Sequence, residues 1–119
     1  MNLVMDSKLW EAWKRRHSHE VTQPIFDKFI QSIVNDYHPK LLCVIGYFFG
    51  VKAAIFQINA KHGLANASAI THPSAVSIEE LEAIGSKKPI FISAAENCVV
   101  FPQELVNLTT SKLKEIGST

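Results

Sequence analysis

Two kinds of apolar pattern alternate along this chain. In residues 22–37, Ile25, Phe26, Phe29, Ile30, Ile33, Val34 and Tyr37 recur at helical spacing, a broad stripe that needs a partner surface. Thr22 is placed to cap this helix, Pro24 fits its first turn, and His38-Pro39 ends it. The run LLCVIG (41–46) is different. It is continuously apolar, too short for a helix, and bounded by Pro39 and Gly46, which predicts a strand buried on both faces as in a parallel sheet.

The same reading extends to both ends. A first helix runs from a Ser7 cap to about His19, with Trp10 and Trp13 on one face and Lys14, Arg15, Arg16 and His17 gathered at its end, where positive charge suits the helix dipole. Residues 49–61 are helix-like, with Val51, Ala54, Ile55 and Ile58 on one side and Gly63 as C-cap. LANASAI (64–70) predicts a second strand, followed by the loop Thr71-His72-Pro73-Ser74. Ser77-Ile78-Glu79-Glu80 is a capping box opening a short helix that stops at Gly85. PIFISA (89–94) predicts a third buried strand. A loop through Asn97, Cys98 and Phe101 follows, and Pro102 starts a last helix with Leu105, Leu108, Leu113 and Ile116 inward and Gly117 at its end. The order α-α-β-α-β-α-β-α predicts an α/β fold with about three parallel strands joined by right-handed crossovers.

Composition narrows the function classes. A chain of 119 residues has one-domain length, and 47% apolar with 19% charged residues is globular composition. A formal net charge of +1 gives no global field to recruit nucleic acid or an anionic membrane. The start, MNLVMDSKLW, lacks the pattern of a secretory signal, and no stretch has the length of a transmembrane helix. Cys43 and Cys98 form no CxxC and no metal spacing, so the expectation is free thiols in a cytoplasmic protein, with Cys43 in the core. His17, His19, His38 and His62 are scattered on helix ends, and His72 follows a strand end, where a loop-shaping role is the simplest one. No metal or cofactor is expected, and the basic runs Lys14-Arg15-Arg16-His17 and Lys87-Lys88 read as solvated.

The chemistry turns on VIGYFFGVKAA (44–54). An apolar strand enters a Gly, a second Gly stands four residues later, and a helix begins: the outline of a nucleophile elbow, in which small residues let strand and helix pass closely. Gly46 and Gly50 supply the spacing, but the central position holds Phe48. On these residues alone, an elbow-derived turn and a plain strand–Gly–helix junction both remain open.

GYFFGVKAA resembles the GYCFGxK elbow of the dienelactone hydrolase family, cysteine-nucleophile members of the α/β-hydrolase fold. KHGLANASAITHPSAVSIEELEAIGSKKPIFISAAENCVVFP (61–102) is similar to the fungal branch, with its His-Pro-Ser after one strand and Ala-Ala-Glu-x-Asp-x-x-Phe-Pro after the next. WKRRHSHEVT (13–22) resembles the segment ahead of the elbow. The resemblance covers roughly residue 10 to the end. It implies an ancestral hydrolysis of carboxylic esters or lactones by a Cys-His-Asp triad. It also implies where this chain departs: the family's nucleophile falls on Phe48, its acid falls on Cys98, and its triad His belongs to a stretch that would lie beyond Thr119. Phenylalanine has no atom that attacks a carbonyl, and a thiol does not orient a His as a buried carboxylate does. The Phe49 N–H remains as an oxyanion donor.

The implied domain, residues 1–119, is a partial α/β-hydrolase fold without the family's opening strands or its closing strand and helix. Phe48 is expected either to relax the turn or to fill the old pocket with its ring. The three crossovers should lie on one face of the sheet, leaving the other bare and LLCVIG at an open edge, with the Trp10/Trp13 helix as the candidate cover. Three functional expectations follow: a catalytically inactive remnant or pseudoenzyme, a module that pairs through its sheet face with itself or an intact relative, and a residual esterase using Cys98.

Overall fold

A computed structural model describes residues 6–73, 76–86, 88–99 and 101–117. The elements are α1 (Ser7–Arg16), α2 (His19–Tyr37), β1 (Cys43–Tyr47), α3 (Gly50–Phe56), β2 (Ala67–Thr71), α4 (Ile78–Glu82), β3 (Ile90–Ser93) and α5 (Gln103–Glu115). The strands form one parallel sheet in the order β1-β2-β3, with Tyr47 beside Thr71 and Thr71 beside Ser93. The α/β class and parallel order are those expected from the sequence.

The core lies on one side of this sheet. Val44 and Ile70 meet Val51, Ala54 and Ile55 of α3, Leu81 of α4 and Ile30 of α2 in one buried cluster, with Phe26, Ile92 and Leu113 packed against it. On the other side the sheet is bare: Ile45 is 65% exposed, Tyr47 68% and Phe91 68%. The unbroken apolar runs therefore mark strands with two apolar faces, of which only one is covered. Cys43, expected in the core, lies on the bare face and is exposed.

α1 does not cover that face. It buries none of its residues, and Trp10 and Trp13 instead stack on each other at 5.3 Å, with His17 stacked next on Trp13 at 4.4 Å. The helix ends at Arg16, before His19, and its cap is Asp6, whose side chain accepts from the Lys8 N–H. α2 starts a turn earlier than a Thr22 cap implies. Ser18 is its N-cap residue, the Thr22 hydroxyl donates to the Ser18 carbonyl at 3.0 Å, and Pro24 lies inside the helix.

Other differences have local causes. α3 stops at Phe56, and Gly63 does not act as a helical C-cap. A Cβ there would meet the Gln57 carbonyl oxygen at 2.3 Å, so the glycine is needed for close backbone approach. β2 begins at Ala67 because Leu42 and the preceding residues are tied otherwise: Ala65 N–H donates to the Gln57 carbonyl, Asn66 N–H to the Leu42 carbonyl, and the Asn66 side chain accepts from Leu42 N–H. In α5, Pro102 is the N-cap residue, Leu108 is exposed and Thr109 is buried in its place. The Ser77 capping box is formed in both directions, Glu80 N–H to Ser77 Oγ at 3.2 Å and Ser77 N–H to Glu80 Oε2 at 2.8 Å.

Candidate functional site

The carboxyl ends of parallel strands are where α/β proteins place chemistry. Here β1 and β2 end in the same way. The residue after each, Phe48 and His72, has a positive φ, +46° and +49° respectively. Each is tied to the next strand over: Phe48 N–H donates to the Thr71 carbonyl at 3.1 Å and His72 N–H to the Ser93 carbonyl at 3.3 Å. Val51 N–H closes the turn onto the Phe48 carbonyl at 3.2 Å. A left-handed conformation costs a non-glycine residue ~1–3 kcal/mol. The hydrogen bonds on both sides of Phe48 hold it there.

The elbow geometry is therefore kept, and neither expected accommodation of Phe48 occurs. The turn is not relaxed, and the ring, 57% exposed, does not fill a pocket. Gly46 and Gly50 differ in role. A Cβ at Gly46 would stand 2.7 Å from the Gly50 carbonyl oxygen, 2.8 Å from Ala54 Cβ and 2.9 Å from Val51 Cα, whereas a Cβ at Gly50 would meet nothing within 4 Å. Close passage of strand and helix needs the first glycine only.

Phe49 is the N-cap residue of α3, and its N–H has no hydrogen-bond partner among the described residues. Its carbonyl accepts from His19 Nε2 at 3.2 Å, and the His19 ring stacks on the Phe49 ring at 4.5 Å. A carbonyl only accepts, so Nε2 carries the hydrogen. His19 thus joins the start of α2 to the elbow. Sequence reasoning placed it among scattered histidines, and no local signal links positions 30 apart.

Cys98 is half-buried on the loop after β3, where it lines a shallow groove with Glu96, Asn97, Val99, Pro102 and Gln103. No His or Asp is among those lining residues. Among the described residues, no group of three or more His, Cys, Asp or Glu side chains could hold a metal ion, and no helix is long and apolar enough to cross a membrane.

A parallel sheet helical on one side, whose first strand turns through a left-handed residue directly into a helix, has the strand–elbow–helix framework of the α/β-hydrolase fold. The comparisons make this specific: the model of the dienelactone hydrolase family matches residues 5–119, and the chain belongs to that family. It is similar to the hydrolase tropI of Talaromyces stipitatus, 29% identical over 103 residues that make up 87% of this chain. The chain spans 39% of the length of that relative. No solved structure matches it.

Proposed function

We propose that this chain is a dienelactone hydrolase-like pseudoenzyme, a partial α/β-hydrolase domain that does not hydrolyse esters or lactones. The observation that carries this reading is the apex of the elbow: the position built to present a nucleophile holds Phe48. The covalent chemistry of the family needs an attacking atom there, and activation of that atom by a base oriented by an acid. Cys98 at the acid position supports the same conclusion. The partial character of the domain is supported by the 39% of the relative that the chain spans. We read the protein as cytoplasmic and as binding neither nucleic acid nor membrane.

The test is turnover of a small activated ester such as p-nitrophenyl acetate by the purified chain. We expect a rate equal to that of Cys98→Ser. A rate far above that variant would overturn the reading and favour a residual esterase at Cys98.

A second reading is favoured by the bare sheet face with Ile45, Tyr47 and Phe91. Monomeric proteins rarely expose contiguous apolar patches beyond a few hundred Å². In this reading the chain is a binding or regulatory module that pairs through that face with itself or with an intact relative.

A further inference from the structure

At the end of α3 far from the elbow, a cleft of about 230 Å³ opens between α2 and the connection from α3 to β2. It is lined by Asp27 and Gln31 of α2, Phe56 at the end of α3, and Gln57, His62 and Leu64 beyond it. Gln57 is only 1% exposed, and the two ends of its amide are unequally served. Nε2 donates to Asp27 Oδ1 at 2.6 Å, while Oε1 is buried with no hydrogen-bond partner among the described residues. Exchanging the two ends would set an oxygen against the carboxylate, so the orphaned atom is the acceptor. A buried acceptor without a donor is costly, and native structures hold few of them.

The other groups of the cleft are short of donors in the same way. Asp27 Oδ1 also accepts from Gln23 Nε2 at 2.8 Å, so both bonds fall on one oxygen, and Oδ2 has no partner among the described residues. Gln31 Nε2 is engaged with Asn35 Oδ1 at 2.9 Å, which leaves the Gln31 oxygen as a further acceptor. Asp27 is the one acid among the lining residues, and none of them is a lysine or an arginine. The Phe56 and His62 rings stand parallel, 3° between planes and 6.0 Å between centroids. Unused acceptors, a carboxylate and flat aromatic surface within one cleft call for a ligand that is cationic, planar and rich in N–H groups.

We propose that this cleft binds a small organic cation, a guanidinium bearing a short alkyl chain. A guanidinium presents its N–H donors in one plane, has no acceptor of its own, and keeps its charge at ordinary pH. It is also weakly hydrated and stacks on aromatic faces, here Phe56 and His62. Its donors answer the open acceptors of Asp27, Gln57 and Gln31, and its alkyl chain rests against Leu64. A primary ammonium is more strongly hydrated and has no flat face to stack. Every wall of the cleft is supplied by this chain, and α3 separates the cleft from Phe48 and Phe49. The inference therefore holds whether or not the elbow catalyses.

The test titrates the full, isotope-labelled chain with N-butylguanidinium at constant ionic strength and follows the Gln57 side-chain amide by NMR. We expect a saturable shift with a dissociation constant on the order of 1 mM. N-butylurea, neutral and of nearly the same shape, should bind about tenfold more weakly, and N-butylammonium about threefold more weakly. Asp27→Asn removes the charge, keeps an oxygen for Gln57, and should weaken binding about tenfold. Leu64→Trp, at a position 39% exposed, fills the cleft without touching that network. It should keep the circular dichroism of the parent and lose binding to a similar degree. Asp36→Asn, at an exposed position of α2 outside the cleft, should leave binding unchanged. Absence of saturation up to about 20 mM, equal binding of the urea or the ammonium, indifference to Asp27→Asn or Leu64→Trp, or an equal loss in Asp36→Asn would each overturn the proposal.

Discussion

Gly46 and Gly50 are chemically identical and structurally opposite, which makes them the sharpest residue-scale test of the elbow. Adding a methyl at Gly46 forces contacts below 3 Å with the Gly50 carbonyl, Ala54 and Val51, all on backbone or a short side chain that cannot swing away. Overpacking of this kind costs about 1–3 kcal/mol. Gly46→Ala should therefore lower the unfolding free energy by that amount in urea titration. Gly50→Ala adds a methyl into open space at the start of α3 and should be neutral or stabilising by up to ~1 kcal/mol. The glycine spacing was legible in the sequence, but which glycine the turn requires was not, because that depends on the angle between strand and helix. The same holds for Phe48. Its position was legible from the motif, while the survival of its left-handed conformation comes from hydrogen bonds to Thr71 and Val51. His19 was not legible as a neighbour of Phe49 at all, since the contact is made only once α2 lies against the elbow.

At the scale of elements, local chemistry and the bare sheet face with β1 at its edge were read correctly, while the placement of Cys43 and of α1 was not. The Ser77 box depends on four consecutive residues, and it forms as its pattern implies. An apolar run such as LLCVIG identifies a strand, yet nothing within it says which face will find a partner. Cys43 was assigned to the core for that reason and lies in the open. α1 shows the converse. Two tryptophans on one helix face made α1 the candidate cover for the sheet, but they stack along their own helix, and α1 buries none of its residues. A buried Trp→Ala change costs about 3–5 kcal/mol. The double variant Trp10→Ala/Trp13→Ala should instead cost no more than about 0.5 kcal/mol, the scale of surface substitutions, read as a nearly unchanged melting midpoint. A loss near the buried value would mean that α1 is anchored after all. β2 and α3 began or ended away from their expected limits because Asn66 and Gly63 serve tertiary contacts that pattern alone does not carry.

The whole molecule is flat. Its Cα radius of gyration is 15.7 Å and its extents are 47 × 37 × 23 Å. A compact chain of this length has a radius of ~13.5 Å. The sheet carries its helices on a single side, and α1 buries none of its residues. If the bare face pairs with a second copy, the thermal midpoint should rise between two concentrations about twentyfold apart. An unchanged midpoint would exclude self-pairing. The one-sided sheet has a further consequence in heat capacity. Globular domains gain ~12–15 cal/mol/K per residue on unfolding, mostly from water gathered around newly exposed apolar surface. Here Ile45, Tyr47 and Phe91 already meet water in the folded state, so less hydration is left to gain. Calorimetry of the dilute chain should give an increment below that range, and hence an unusually flat dependence of stability on temperature, with cold as well as heat acting weakly on it.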